Sequence, residues 1–514
     1  MAHLRAADVP AEFNLAAHFL DRNEDGRTAL HTAAGPVTYG EVKALANRTG
    51  HALRVLGVRR GDRVLLALGD GTEFVATWFG VQKVGAVTAE VYTFLKPADY
   101  RYYLDYSRPA VVVADTTTLG PLRAAGARNL LVVGADPESL RPGEHDFAAV
   151  TAEQPTALEA APTRSDDIAL WRFTTGSTGS PKACLIHARS PLLSFEWYAR
   201  AVMDIRPDDV VLPVPKLFFG YANNMAVTFP FGIGAAGVVF PERSTVDRMF
   251  ALIARHRPTV LVNVPTMMNA MLEHPAAAEQ DFGSLRLCVS GGELLPPDLH
   301  RRFADTFGVD TIDGIGASES YHGYISNSPG RSRPGTLGRV IPGYRVRVVD
   351  DEGTEVPRGA TGRLEVTGET VAAGYWQAPD KTAEAFPAPG TVRTSDLVSQ
   401  DADGFFRYEG RADDLLKVGG LWVSPTEIEK CLATHPAVAE CAVVGFQRDG
   451  LTRTRAFVVA RDDVSGEALQ QYVKGRLSPH KYPREVRFVP RLPRTASGKV
   501  DRIALRAEEL PEAA

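Results

Sequence analysis

Short apolar runs, each closed by glycine, proline or a polar turn, alternate along this chain with stretches of helical spacing, and few folds accept that pattern. Arg63-Val64-Leu65-Leu66-Ala67-Leu68, Ala110-Val111-Val112-Val113-Ala114 and Leu130-Leu131-Val132-Val133 come first, with a helical stretch over 72–84. Asp209-Val210-Val211-Leu212, Gly237-Val238-Val239-Phe240, Thr259-Val260-Leu261-Val262, Leu287-Cys288-Val289-Ser290 and Thr311-Ile312-Asp313-Gly314 continue the series. Strands apolar on both faces belong in parallel βαβ sheets covered by helices on each side. Open sheets of that kind bind ligands beyond the carboxyl ends of their strands. Residues 11–60 read as helical, with Val42-Leu45-Ala46 and Ala52-Leu53-Val55-Leu56 spaced for an apolar stripe.

From residue 340 the texture changes to short alternating strands and turns. Asp351-Glu352-Gly353 and Asp401-Ala402-Asp403-Gly404 predict hairpins in a small β-rich subdomain. Beyond Arg411 a compact α+β pattern follows: helices over 425–434 and 467–477, strands over 442–446, 456–459 and 486–489. The chain's 514 residues exceed what one hydrophobic core usually serves. The expected organisation is α/β: a large N-terminal domain over 1–411 of stacked parallel βαβ sheets plus the β-rich subdomain, then a small mobile α+β domain over 412–514.

Composition excludes several function classes. With 44% hydrophobic and 23% charged residues, the chain has the make-up of an ordinary soluble globular protein. Its net charge of −5 comes from interleaved acids and bases, so no basic block invites nucleic acid or an anionic membrane. Four scattered cysteines, Cys184, Cys288, Cys431 and Cys441, form no CxxC pair, which argues against a disulfide framework or structural zinc and for a reducing cytoplasm. The N-terminus lacks the basic start and apolar core of a signal peptide. No charge occurs between Lys216 and Glu242, but Asn223-Asn224, Pro230 and several glycines interrupt that stretch, so it predicts a buried core or pocket wall rather than a membrane span.

The chemistry-bearing stretch follows the strand-like Ile168-Ala169-Leu170-Trp171-Arg172. It reads Phe173-Thr174-Thr175-Gly176-Ser177-Thr178-Gly179-Ser180-Pro181-Lys182. Bare backbone N–H groups, hydroxyl donors and one cation can cradle a phosphate chain. The spacing is not that of a Walker A loop. Two other motifs are decoys. Gly232-Ile233-Gly234-Ala235-Ala236-Gly237 matches GxGxxG but leads into a strand, whereas a dinucleotide fingerprint opens a helix. Gly316-Ala317-Ser318-Glu319-Ser320 lacks the last glycine of a nucleophile elbow. No HExxH occurs.

Taken in order, these motifs resemble the adenylate-forming superfamily of acyl- and aryl-CoA synthetases, luciferases and nonribosomal adenylation domains. The likeness is nearest to benzoate–CoA ligases and their hydroxybenzoate relatives, and it covers nearly the whole chain. It implies that Thr174, Thr175, Gly176, Ser177, Thr178, Gly179 and Lys182 hold the β- and γ-phosphates of ATP. Gly291-Gly292-Glu293 would lie against adenine. In Asp313-Gly314-Ile315-Gly316-Ala317-Ser318-Glu319, Ser318 would touch the α-phosphate and Glu319 would hold Mg²⁺, a hard cation that prefers oxygen ligands. The resemblance places Asp396 and Arg411 at the ribose, Asp413 at the hinge and Lys499 as the catalytic lysine. It assigns Gly419, Gly420 and Trp422 to the channel for the thiol of coenzyme A, where a residue without Cβ lets backbone approach closely.

The chemistry asks for such groups independently. A carboxylate attacking the α-phosphorus brings anion against anion, so a cation must bridge them while the leaving pyrophosphate is neutralised. A lysine on a small mobile domain can enter for that step and withdraw for thiol transfer. The resemblance also implies an aryl-acid pocket of Tyr221, Ala222, Asn223, Gly316, His322 and Gly323, with Tyr221 and the 314–316 backbone sandwiching a flat ring. Ala222-Asn223-Asn224 stands where benzoate ligases usually carry Gly-Leu-Gly, and Gly323 where a bulky aliphatic residue is common. A roomier, more polar pocket predicts a hydroxy- or amino-substituted benzoate or cinnamate type of acid. The expected partners are that acid and coenzyme A, in a monomer or homodimer. The alternative readings are transfer to a carrier-protein phosphopantetheine, nitrite activation on an aryl amine, and a non-catalytic nucleotide-binding protein.

Overall fold

A computed structural model describes residues 3–174, 181–418, 421–448, 451–478, 481–495 and 500–508. The chain divides into two compact units, Met1–Val346 with Val366–Val392, and Arg347–Glu365 with Arg393–Ala514.

Two sheets build the larger unit. The first has seven strands in the order Glu144–Asp146, Leu130–Val133, Val111–Asp115, Arg63–Ala67, Val87–Glu90, Ile168–Thr174 and Lys182–His187. All neighbours are parallel except the last pair. The second has nine strands, running from Arg339–Val340 and Gly323–Ser326 through Thr311–Gly316, Leu287–Ser290, Val260–Asn263, Val210–Pro213 and Ala236–Val238 to Thr28–Thr32 and Gly35–Thr38. It is parallel through its centre and antiparallel at both edges.

The period-two alternation of a strand explains the layering. Val64 and Leu66 join Val211, Val260, Val262, Leu287 and Val289 in one core, together with Val42, Phe74, Trp78 and Phe79 from helices Tyr39–Val55 and Thr72–Lys83. The alternate residues Leu65, Ala67, Val112 and Ala114 face a second core on the other side of the first sheet. Leu212, Leu261 and Cys288 face a third, beneath helices Val246–His256, Pro265–Glu273 and Pro297–Phe307. The strands predicted from apolar runs are therefore present, Leu130–Val133 and Leu287–Ser290 with the same bounds and the others shifted by a residue or two at an end.

The region over 11–60 differs from its reading. Only Tyr39–Val55 is a regular α-helix, capped by Thr38, whose side chain accepts from the Glu41 N–H; Thr28–Thr32 and Gly35–Thr38 form a hairpin. The inner strand, Thr28–Thr32, is set by parallel pairing with Ala236–Val238, a partner some two hundred residues away that local spacing cannot reveal. That partner strand accounts for the GxGxxG decoy: a Cβ on Gly237 would sit 2.0 Å from the Ala226 carbonyl oxygen, so this glycine serves packing. The uncharged stretch after Lys216 is a run of short buried helical turns over 220–231. Among the described residues no helix is long and apolar enough to cross a membrane.

The smaller unit holds the expected hairpins. Thr391–Gln400 pairs antiparallel with Phe406–Arg411 across the Asp401–Gly404 turn, and Val349 bridges Glu355 across the other. A three-stranded sheet of Val438–Arg448, Leu451–Ala460 and Glu485–Phe488 carries helices Pro425–Ala433, Gly466–Lys474 and Arg502–Ala507.

Candidate active site

The strand Thr311–Gly316 ends beside its antiparallel neighbour Gly323–Ser326, with Gly316 opposite Gly323. A Cβ on Gly314 would lie 2.6 Å from the Ile325 carbonyl oxygen, and one on Gly316 would lie 2.7 Å from that of His322. Glycine is required at both positions because backbone, not a movable side chain, fills the space. The intervening turn passes through Tyr321 at φ 73°, a left-handed conformation that a bulky residue adopts only when its surroundings hold it there. The Tyr321 hydroxyl supplies the hold, donating 2.6 Å to Asn224 Oδ1. The turn presents His322 to a ring of aromatics, with Tyr198 and Phe229 centroids each 5.0 Å away and Tyr221 at 6.1 Å. Burial pushes the His322 pKa down to about 3, so its imidazole is neutral at physiological pH.

Tyr221 is fixed from its other end. Its hydroxyl donates 3.0 Å to the Val289 carbonyl, and its ring lies against Gly291, where a Cβ would come within 3.2 Å of the ring carbon bearing the hydroxyl. Tyr221, His322 and the 314–316 strand thus lie in one unit, with the Tyr221 and His322 rings 6.1 Å apart. Ala222 and Asn223 are fully buried. Asp313, on the same strand, is also buried, which holds its carboxyl well above the usual carboxylate range. Gly292 takes φ 81°, and Glu293 turns away to accept hydrogen bonds from the Thr266 N–H (3.2 Å) and hydroxyl (2.7 Å). Its carboxylate caps helix Pro265–Glu273 from outside that helix's own segment.

The phosphate-loop residues Thr174 and Lys182 face each other across the strands Ile168–Thr174 and Lys182–His187. Thr175, Gly176, Ser177, Thr178 and Gly179 lie outside the described residues. Lys182 Nζ stands 4.5 Å from the centre of the Tyr375 ring, and the Tyr375 hydroxyl donates 2.7 Å to Glu319 Oε1. One tyrosine therefore brings the expected phosphate lysine and metal carboxylate together, beside Ser318. A carboxylate held through one oxygen retains lone pairs for a hard cation, so Glu319 fits a Mg²⁺ ligand. Ile315 lies on the strand between the two tight glycines.

In the smaller unit, Asp396 faces Arg411 across the hairpin, with Arg411 NH1 3.2 Å from Asp396 Oδ1. The Asp396 N–H donates 3.1 Å to Thr394 Oγ1, within strand Thr391–Gln400. Asp413 falls in the tight turn Ala412–Asp414, and strands Leu416–Val418 and Leu421–Val423, the latter containing Trp422, pair on either side of Gly419 and Gly420. Gly419, Gly420 and Lys499 lie outside the described residues.

Two family models match the chain: AMP-binding enzyme over residues 17–376, and AMP-binding enzyme C-terminal domain over 427–499. The chain belongs to the AMP-binding enzyme family. This AMP-binding enzyme is 39% identical to the benzoate–CoA ligase of Thauera aromatica, over 98% of its own length and 97% of the relative's. It is 38% identical to the 4-hydroxybenzoate–CoA/benzoate–CoA ligase of Rhodopseudomonas palustris, over 96% and 94%. Its fold matches the anthranilate CoA ligase AuaEII in complex with anthranoyl-AMP at a TM-score of 0.93, with 36% identity over 98% of this chain and 99% of that one. A benzoate CoA ligase from Burkholderia xenovorans LB400 matches at 0.89 and 36%, over 96% and 100%. The AMP-binding enzyme is thereby placed among the AMP-forming acid–thiol ligases, with the α/β fold expected of them.

Sequence reasoning missed Tyr375, which no motif marks. It also missed the charged pair Glu90 and Arg172, although each is a charged residue in an otherwise apolar strand, an anomaly legible in the sequence.

Proposed function

We propose that this enzyme uses ATP to convert an aromatic carboxylic acid to its acyl-adenylate, releasing pyrophosphate, and then transfers the acyl group to coenzyme A. The observation that carries the reading is Tyr375, which sets Lys182 and Glu319 side by side in the unit that also holds Tyr221 6.1 Å from His322. In this reading Tyr221, tied to Val289, offers the face of its ring to the aryl group, with the Gly314–Gly316 backbone opposite. A polar-substituted benzoate or cinnamate is the favoured acid, because Asn223 and His322 put amide and imidazole nitrogen where an apolar ring would leave them unpaired. The relatives named for benzoate, hydroxybenzoate and anthranilate support that class.

In this reading the chain's residues act as follows. Lys182 and the 174–179 loop grip the terminal phosphates, and Asp396 with Arg411 orients the ribose. Glu319, whose carboxylate Tyr375 aims, would hold Mg²⁺, which would supply positive charge towards the departing pyrophosphate. Lys499 bridges the substrate carboxylate and the α-phosphate, whose oxygen Ser318 also meets, as the acid oxygen attacks phosphorus and pyrophosphate leaves. Residues 412–514 then turn about Asp413 and bring Gly419, Gly420 and Trp422 to line the approach of the thiol. The thiolate sulfur attacks the acyl carbon and AMP departs. Coenzyme A is the acceptor in this reading, and the enzyme works in the cytoplasm.

Pyrophosphate release measured over a panel of aryl acids tests the first half-reaction, and mass spectrometry of products formed with coenzyme A tests the second. Release with an aryl acid and a new acyl-CoA mass are the expected results. Silence with every acid would refute the proposal.

A further inference from the structure

Next to the Tyr221–His322 cluster lies a buried polar network whose charged pair has had no role so far. Glu90 and Arg172, whose side chains are 2% and 4% exposed, pair at 3.0 Å on neighbouring strands of the seven-stranded sheet. Trp78 Nε1 also donates to the same Glu90 oxygen at 2.9 Å. The far end of the Arg172 fork donates 3.3 Å to Asn224 Oδ1, the oxygen that also receives the Tyr321 hydroxyl. Arginine and the tyrosine hydroxyl both act here as donors, so they fix which way the Asn224 amide points: oxygen towards them, NH₂ away.

That NH₂ has no partner among the described residues although Asn224 is fully buried. Asn224 lies three residues after Tyr221 in a continuous helical stretch, the spacing that puts two side chains on one face. Arg172 also packs against the residue before Tyr221, since a Cβ on Gly220 would meet its Nε at 3.1 Å. Both nitrogens of His322, next to Tyr321 in the chain, are likewise unpartnered among the described residues. A buried unpaired donor or acceptor is expensive, so a group that satisfies it gains correspondingly.

Resting on the aryl-acid reading above, we propose that Asn224 is the residue that reads a hydroxyl on the ring of the acid, and that Arg172, anchored by Glu90, positions it. A phenolic hydroxyl both accepts and donates. Its oxygen takes the Asn224 N–H, and its proton goes to the unprotonated nitrogen of the neutral His322. A ring amine offers two donors and a lone pair withdrawn into the ring, so it answers His322 and leaves Asn224 unmet. An unsubstituted ring leaves both unmet. Selectivity therefore runs hydroxy over amino over unsubstituted acid.

The test is pyrophosphate release with benzoate, the aminobenzoates and the three monohydroxybenzoates, for the wild type, Asn224→Ala and the double variant Glu90→Gln/Arg172→Met. The double variant removes both charges and so avoids stranding one in the core. The wild type is expected to favour its best hydroxybenzoate over benzoate by roughly ten- to a hundredfold in kcat/KM, the range of one or two hydrogen bonds to a buried group. Asn224→Ala should collapse that ratio through KM, and the double variant should lower it by a smaller factor. A general folding defect would depress every acid alike and leave the ratio unmoved. Turnover of several acids with the ratio unchanged in both variants, or a wild-type preference for benzoate, overturns this inference while leaving the ligase reading intact. No pyrophosphate release with any acid overturns the ligase reading and this inference with it.

Discussion

Gly316 and Gly323 face each other across two strands, yet substitution by alanine should affect them in opposite ways. At Gly316 a new Cβ would lie 2.7 Å from the His322 oxygen and 2.8 Å from both the nitrogen and the Cα of Gly323. Those atoms are backbone, and carbon contacts are comfortable only near about 3.5–4.0 Å. The strands must part by several tenths of an ångström, which overpacked sites resist at about 1–3 kcal/mol. At Gly323 the nearest atoms to a new Cβ are Ile341 Cδ1 at 3.5 Å and the Ile315 oxygen at 3.7 Å, ordinary contacts. Gly323→Ala should therefore hold or slightly raise stability, by about 0.4–1 kcal/mol through the stiffer unfolded chain. Urea midpoints for both variants give the stability half. Pyrophosphate release gives the other: Gly316→Ala should weaken all acids, while Gly323→Ala should discriminate against the bulkiest, as the proposed pocket wall requires. Equal midpoint shifts, or a larger loss at Gly323, would refute the argument that backbone rather than side chain fills the space beside Gly316.

Lys499→Ala should abolish adenylation by about 10²–10³-fold yet spare acyl transfer to coenzyme A from supplied acyl-adenylate; equal loss of both half-reactions, assayed separately, would contradict domain alternation. Tyr375→Phe keeps the ring under Lys182 but frees the Glu319 oxygen, so the Mg²⁺ concentration for half-maximal activity should rise roughly fivefold, in line with one lost hydrogen bond of about 1 kcal/mol. His322 titrates near 3 in the fold against an unperturbed 6.5. Between those values the unfolded chain binds the extra proton, so stability falls as pH drops below 6.5, by about 2 kcal/mol at pH 5 at 1.36 kcal/mol per unit. Urea unfolding of His322→Asn across pH 5–7 should show a correspondingly flatter slope.

The central strands were legible because they are apolar on both faces, a pattern that local sequence carries whole; Glu144–Asp146, with no apolar residue, was not. The hairpin over 28–38 was not, since its pairing with Ala236–Val238 lies far along the chain. The site divides in the same way. Glycines 314 and 316, Ser318 and Glu319 stand in one short motif whose order speaks for itself. Tyr375 reaches Glu319 from 56 residues away, through a segment laid against Ala183 and Leu185 by backbone hydrogen bonds. Glu293 was read for its place beside a nucleotide, and its carboxylate is engaged by Thr266, a contact that only the packing of helix Pro265–Glu273 beside strand Leu287–Ser290 creates. Motifs mark residues that meet a ligand, whereas residues that brace them are scattered wherever the fold brings them near.

The Glu90–Arg172 pair sets terms for how this enzyme can be altered. Removing either member alone strands a charge in the core, a loss of about 3–5 kcal/mol, whereas replacing both with apolar residues of similar volume can be neutral. A change of acid preference that passes through this network must therefore be made in two places at once. Libraries that vary positions 90 and 172 singly would discard every intermediate, and a paired library would reach new pockets on an intact scaffold.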